Sequence, residues 1–322
     1  MLGTGVEVFS LWRDWPVNTT ALQQVADSGS GWVRIGVGWC SLEERGPGQV
    51  STWYRDRLDA TVRQARALGL QLLLTLGCTP TWLSGTQDLK ALPAGEEQYR
   101  HFQRIATELA TRYRGQVRAW EIWNEPDCSG GTCPNTPASA YVPVLRAGYA
   151  GIKAADPAAS VVSAGTSGAN AQWVQQLYAA GAKGSFDALG LHPYQGPAAE
   201  APEAPPAEHP YRITNVAKVR QVMLENGDGA KSIWFTEFGW TTGAGSGWSA
   251  GVDEATQADY LRRALRMVQN WYPYVSHAFV FTIRDRDDWN AYENGFGLTR
   301  LDGSAKPALG ALRETNTWLH TL

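Results

Sequence analysis

The sequence predicts an α/β chain closed into a (β/α)8 TIM barrel, with residues 1–322 as one catalytic domain. Three observations predict it. Eight apolar, β-branched or aromatic runs recur along the chain. Segments with helical period lie between most of them. Polar residues gather at the C-terminal ends of the runs. Strand and helix in alternation imply parallel strands with crossover helices, and eight such units in this length is the count of a closed barrel. The alternative, an open doubly wound sheet, would place a Gly-rich phosphate loop after the first strand, and none follows it.

The strands read, in order, VEVFS (6–10), WVRIGVGW (32–39), QLLLTLGC (71–78), RAWEIWNE (118–125), SVVSAGTS (160–167), FDALGLHPY (186–194), SIWFTEFGW (232–240) and HAFVFTIRD (277–285). A helix between strands 2 and 3 sets Leu58, Val62, Ala65 and Leu68 on one face. The next covers 96–115 and is closed by Gly115, and similar patterns fall at 138–155, 211–226 and 254–272. The Pro/Ala/Glu stretch 197–210 sits between strand 6 and its helix, which makes it an elaborated βα loop near the active face.

Hydrophobic residues make up 43% and charged residues 18%, a globular composition. A net charge of −3 gives no basic footprint for nucleic acid or an anionic membrane. No apolar run approaches the ~20 residues of a membrane span. The 15 Trp exceed what a core of this size needs; most are read as packing, and the rest offer flat faces to sugar rings. The N-terminus has neither the basic region nor the apolar stretch of a signal peptide. Cys128 and Cys133 flank a short Gly-containing loop and are expected to form a disulfide, while Cys40 and Cys78, at the ends of successive strands, are expected to be neighbours. No His partners sit at zinc spacing, so no metal and no cofactor are expected. The disulfide favours an oxidising compartment and a secreted or extracytoplasmic protein whose leader is absent from this sequence. A monomer is expected.

Polar residues at the C-terminal ends of barrel strands line the active face. Those ends carry Arg34 and Trp39, Thr79 and Trp82, Asn124 and Glu125, His192 and Tyr194, Glu237 and Trp240, Arg284 and Asp285. Two carboxylates, Glu125 on strand 4 and Glu237 on strand 7, can face each other across the mouth. That is the arrangement glycosidic bond cleavage needs. Arg34, between Val33 and Ile35, points into the barrel and requires a carboxylate there. It is either a structural ion pair with Glu121 or the group that holds the nucleophile ionised. The run 284–288, RDRDD, reads as a self-paired, solvated loop.

The motifs WNEP and TEFGW, on strands 4 and 7, resemble those of clan A retaining glycoside hydrolases. TPTWLS, RYRGQVRAWEIWNEPD, IKAADPAASVVSAG and FGLTRLDGSAKPALGAL resemble family 39 and its bacterial relatives, and WVRIGV resembles strand 2 of family 5 cellulases and mannanases. The resemblance implies Glu125 as acid/base and Glu237 as nucleophile. It implies Asn124 on the sugar 2-hydroxyl, Arg34 and Tyr194 on the nucleophile, and His192 in the same subsite. Many clan A enzymes carry a platform Trp at the end of strand 8; here that position reads as Ile283 or Arg284, with Trp240 or Trp289 as substitutes. The chain also ends soon after the last helix, without the accessory β-domain of family 39 xylosidases, which points away from that activity.

Retention needs one carboxyl ionised and the other protonated at the same pH, with Arg34 lowering one and apolar Trp120 or Trp123 raising the other. The two carboxyls are expected roughly 5 Å apart. Trp39 and Trp82 on one side of the mouth, with Trp240, Trp248 and Trp289 on the other, suggest an open groove and endo action on a polysaccharide or glycan. The alternatives are an exo-acting glycosidase on short oligosaccharides and a barrel that binds a glycan without cutting it. A lyase or aldolase would want a Lys or a metal cluster at a strand end, and neither is seen.

Overall fold

The structure, a computed structural model, describes residues 1–130 and 133–322, without the side chains of 129–134. Eight parallel strands close into a barrel: β1 Gly3–Glu7, β2 Trp32–Gly38, β3 Gln71–Gly77, β4 Ala119–Ile122, β5 Ser160–Ser163, β6 Ala188–His192, β7 Ser232–Phe238 and β8 Val275–Val280. The ring is continuous, because β1 pairs with both β2 and β8, and β7 with both β6 and β8. The principal helices outside it are α1 Asn18–Asp27, α2 Thr52–Ala67, α3 Glu96–Arg112, α4 Ala138–Ala155, α5 Ala171–Ala179, α6 Val216–Glu225, α7 Glu254–Trp271 and α8 Pro307–Leu319. Each turns an apolar stripe to the barrel; α2 buries Leu58, Val62 and Ala65, as its spacing predicts. Side-chain oxygens of Ser51, Asn170 and Asp253 cap α2, α5 and α7 by accepting from backbone N–H groups of the first turn.

Most strand ends fall inside the runs read from the sequence, and three differences bear on the site. β1 starts at Gly3 and ends at Glu7, so Glu7 is a strand residue inside the ladder. The fifth run breaks after Ser163 and resumes at Thr166–Ser167, because the Gly165 N–H turns inward to Glu121 Oε1 at 3.1 Å. β8 stops at Val280, five residues early, because the chain leaves the ladder to bond the end of β1. The Thr282 hydroxyl and the Ile283 N–H both donate to the Glu7 carbonyl.

The barrel interior is layered. An apolar plug at the N-terminal end contains Trp32, Leu73, Ala119, Val162, Ala188, Trp234 and Phe279. Polar residues begin one layer higher, at Arg34, Thr75 and Glu121. Cys40 and Cys78 form a disulfide with Cα atoms 5.3 Å apart, tying the ends of β2 and β3 across a separation of 38 residues. Closing a loop of that length contributes roughly 3–4 kcal/mol. The expected Cys128–Cys133 bridge lies outside the described residues. Among those described, no helix is long and apolar enough to cross a membrane.

His277 packs on the Trp234 ring at 3.8 Å between centroids and meets the Trp32 edge. Burial pushes its imidazole down from 6.5 to about 4. The unfolded chain therefore binds a proton that the folded one refuses. This contribution to stability is complete above pH 6.5 and is lost as pH falls towards 4, by up to roughly 3 kcal/mol. In thermal melts, His277→Leu is expected to flatten part of the fall in Tm between pH 7 and 4.5; an unchanged slope would refute this account.

Candidate active site

Arg34 rises from β2 into the barrel and is almost completely buried. Nε donates to Glu121 Oε2 at 2.8 Å, Nη2 to Asn124 Oδ1 at 2.7 Å, and Nη1 to Glu237 Oε1 at 2.6 Å. Nη1 also donates to Glu7 Oε2. One guanidinium thus serves three carboxyl groups from β1, β4 and β7. Burial disfavours its charge, but the neighbouring carboxylates outweigh that and hold Arg34 well above its ordinary value. Arg34 thus pairs with both Glu121 and Glu237.

The three carboxyls differ in how well they are bonded. Glu121 accepts from Arg34, from the Thr75 hydroxyl at 2.6 Å and from the Gly165 N–H, which marks a settled carboxylate. Glu237 accepts from Arg34 and from the Tyr194 hydroxyl at 2.9 Å. Burial pushes Glu237 up, but His192, Arg34 and Tyr194 together hold it below the usual carboxylate value. Among the described residues, the Glu7 carboxyl bonds Arg34 alone. Burial, with the charges of Glu237 and Glu121, pushes it up to about 7 against the pull of Arg34.

Glu125 stands at the tip of β4 in a left-handed backbone conformation, φ 43°, two residues after Trp123 at φ 76°. The two reversals turn the Glu125 side chain towards Glu237. Its Oε1 lies 2.8 Å from Nδ1 of His192, which is fully buried beneath it. Burial lowers the imidazole, but Glu237 and Glu125 together raise it above its ordinary value. Only glycine fits at 165, where a Cβ would lie 2.1 Å from His192 Nε2. One oxygen each of Glu125 and Glu237 and one His192 nitrogen all lie within 4.8 Å of one another. Carboxyls about 5–5.5 Å apart suit retention, and about 6.5–9.5 Å suits inversion. Among the described residues, this trio is also the one cluster of potential metal ligands. A cation there would face Arg34, and both carboxyls already have protein partners.

Above the pair lies a cleft of about 820 Å³. Asn124, Glu125, Glu237, Tyr194 and Trp289 line it, as the sequence predicts. Trp289 stacks parallel to Phe281 at 6.1 Å. Leu89 and Lys90, after β3, line it as well, as do Tyr211 and Trp248 from the loops after β6 and β7.

Five predicted contacts are not in the cleft. Trp39 is fully buried, with Nε1 donating to Glu43 Oε2 at 2.7 Å. Trp82 packs edge-on against Trp39 and donates to the Glu43 carbonyl. Trp240 is buried and donates to the Glu200 carbonyl at 2.9 Å. Each indole N–H is satisfied by the protein, which turns the ring into packing. Arg284 points away and donates to the Leu301 carbonyl at 2.9 Å. Phe281, not Ile283 or Arg284, carries the end of β8 into the cleft, and Ile283 is buried. His192 lies under the carboxyl pair and does not line the cleft.

Sequence reasoning missed Glu7, Phe9, Tyr211, Phe281 and Tyr292, all cleft residues. Glu7 had a usable signal: it is flanked by Val6 and Val8, as Arg34 is by Val33 and Ile35.

A family model described as Cellulase (glycosyl hydrolase family 5) matches residues 3–275. Among solved structures, the chain is similar to a family 39 glycoside hydrolase from the gut symbiont Bacteroides cellulosilyticus WH2. That match has a TM-score of 0.80 and 21% identity, and covers 98% of this chain and 64% of the other, so this chain spans less than two thirds of that enzyme. A GH5_18 variant from Streptomyces cattleya in complex with Manβ1-4GlcNAc matches with a TM-score of 0.76 and 15% identity, covering 100% of this chain and 81% of that one. An exo-β-1,4-mannosidase from Opitutaceae bacterium strain TAV5 matches with a TM-score of 0.68 and 18% identity, covering 100% and 60%. A search among curated proteins gave no significant match.

Proposed function

Because the chain belongs to the cellulase family, glycosyl hydrolase family 5 of the retaining clan A enzymes, we propose that it cleaves glycosides by double displacement, with Glu237 as nucleophile and Glu125 as acid/base. The observation that carries this reading is the asymmetry of the pair: Glu237 is tied to a guanidinium and a phenol, Glu125 only to an imidazole. Glu237, ionised, attacks the anomeric carbon while Glu125 gives its proton to the leaving oxygen. Glu125 then takes a proton from the water that opens the glycosyl-enzyme. Asn124, oriented through its Oδ1 by Arg34, presents its amide N–H groups to a sugar hydroxyl.

The substrate reading is a neutral glycan, because even with Glu125 protonated as the acid and Glu7 neutral, Glu237 and Glu293 balance Arg34 and Lys90, so the cleft lining has no cationic excess to hold a polyanion. The mode is endo. Of the loop most able to close one end, 195–210, Gln195 alone lines the cleft; Trp240 holds the rest aside through the Glu200 carbonyl. The cleft volume also lies near the top of the ~300–1,000 Å³ range of ligand sites, which suits more than one ring. The Cys40–Cys78 bridge supports an extracytoplasmic setting. Incubation with a panel of β-linked polysaccharides and aryl glycosides tests the reading. Mixed-length early products and a rapid fall in polymer size are expected. Release of mono- or disaccharides alone, with polymer size unchanged, would establish exo action instead.

A further inference from the structure

We propose that Glu7 is a charge-compensating, positioning residue: it holds a proton in the resting enzyme and releases it when Glu237 becomes the glycosyl ester. The proposal rests on the reading of Glu237 as nucleophile. Glu7 and Glu237 accept from the same nitrogen, Arg34 Nη1, so each is the other's nearest rival for that charge. Glu7 is almost fully buried yet reaches the cleft lining, beside the reacting centre.

Charge and hydrogen bonding place the proton. With all three carboxyls ionised, one guanidinium would face three anions in a buried layer, which is costly. Glu121 has acceptors filled by Arg34, Thr75 and Gly165, and Glu237 by Arg34 and Tyr194. Glu7 has a single donor and loses least on protonation. The charged and titratable groups around it are Arg34 from β2, Glu121 from β4, Tyr194 from the turn after β6, and Glu237 from β7. From β8, Thr282 offers a neutral hydroxyl, which goes to the Glu7 backbone. The upward displacement of Glu7 to about 7 agrees with this placement.

The first chemical step removes its cause. A bond forms between a Glu237 oxygen and the anomeric carbon, the bond to the leaving oxygen breaks, and Glu237 becomes a neutral ester. The repulsion that kept Glu7 protonated is gone, and Arg34 Nη1 has lost an anionic partner. Glu7 then ionises, its proton passes to solvent, and the charge around Arg34 is unchanged. Hydrolysis of the ester restores Glu237 as an anion and Glu7 takes a proton back.

Proton counting during trapping tests this. The probes are 2,4-dinitrophenyl 2-deoxy-2-fluoro-β-glucoside and the matching β-mannoside, whichever labels the enzyme. Dinitrophenolate leaves without a proton, so release to weakly buffered solvent reports enzyme groups. Glu125 supplies at most one proton per site. Glu7→Gln is expected to release fewer protons per labelled site than wild type at pH 6 and at pH 7, because burial and the neighbouring carboxylates hold Glu7 above the usual carboxylate range. Equal release by E7Q and wild type would overturn the proposal. Should E7Q not fold, the count in the Glu125→Gln, His192→Asn double variant decides, since neither of the other proton sources remains and no release there would overturn the proposal. Peptide mapping of the label separates this from the reading beneath it. A sugar on a residue other than Glu237 refutes the nucleophile, whereas a sugar on Glu237 without the extra proton refutes only the role of Glu7.

Discussion

Replacing Glu237 with Ala is expected to lower kcat/KM by roughly 10⁴-fold or more, the scale on which hydrolases lose a nucleophile, while the protein stays folded. The carboxyl is surrounded by a site built to keep it charged. Removing it also takes one anion from a buried layer where three carboxyl groups share Arg34, so Tm is expected to hold or rise. Azide is the informative additive. In E237A it occupies the space of the lost carboxylate, attacks the substrate directly and yields a glycosyl azide of inverted configuration. In Glu125→Ala it attacks the glycosyl-enzyme and yields the retained configuration. Proton NMR of the products distinguishes them. Retained azide from E237A, or a loss of less than about tenfold, would assign the nucleophile elsewhere.

Arg34→Met is expected to be the most damaging single change to the fold near the site. It leaves Glu7, Glu121 and Glu237 buried without their shared cation. Removing one partner of a buried ion pair costs about 3–5 kcal/mol, which for a chain of this size is a Tm drop on the order of 10 °C. The loss has a pH signature. It is largest where all three groups would be ionised and shrinks as acid neutralises them, so the deficit at pH 8 should exceed that at pH 5. Arg34→Lys keeps the charge but not the fork, and cannot donate to Glu7, Glu121, Asn124 and Glu237 together. It should recover much of the stability and little of the activity. An Arg34→Met protein that melts within about 2 °C of wild type at pH 8 would show that the cluster adapts by taking up protons.

The barrel was legible because its signals are periodic and repeated. Eight apolar runs with amphipathic helices between most of them leave few other topologies, and a misplaced strand end does not change the count. The carboxyl pair was legible because Glu125 and Glu237 each interrupt or end an apolar run at the tip of a strand. The Trp assignments failed for a physical reason. Whether an indole faces a cleft or the core depends on where its N–H finds an acceptor, and Trp39, Trp82 and Trp240 find theirs in Glu43 and Glu200, which sequence proximity alone does not reveal. Phe281 was passed over because β8 was read five residues too long, which moved the expected platform to Ile283 and Arg284. Glu7 escaped because polar residues were sought at strand ends, and Glu7 stood near the start of a run read as 6–10, whereas the strand ends there.

The backbone at Glu125 carries a consequence for evolution. A non-glycine residue at φ 43° is held in a conformation that costs on the order of 1 kcal/mol or more, and glycine would sit there with little strain. Selection for thermal robustness alone would therefore favour removing the side chain that the chemistry uses. A natural homologue with glycine in that place would be a sturdier fold and a poor enzyme, and a lineage that gives up hydrolysis for glycan binding has its shortest mutational route at this one position.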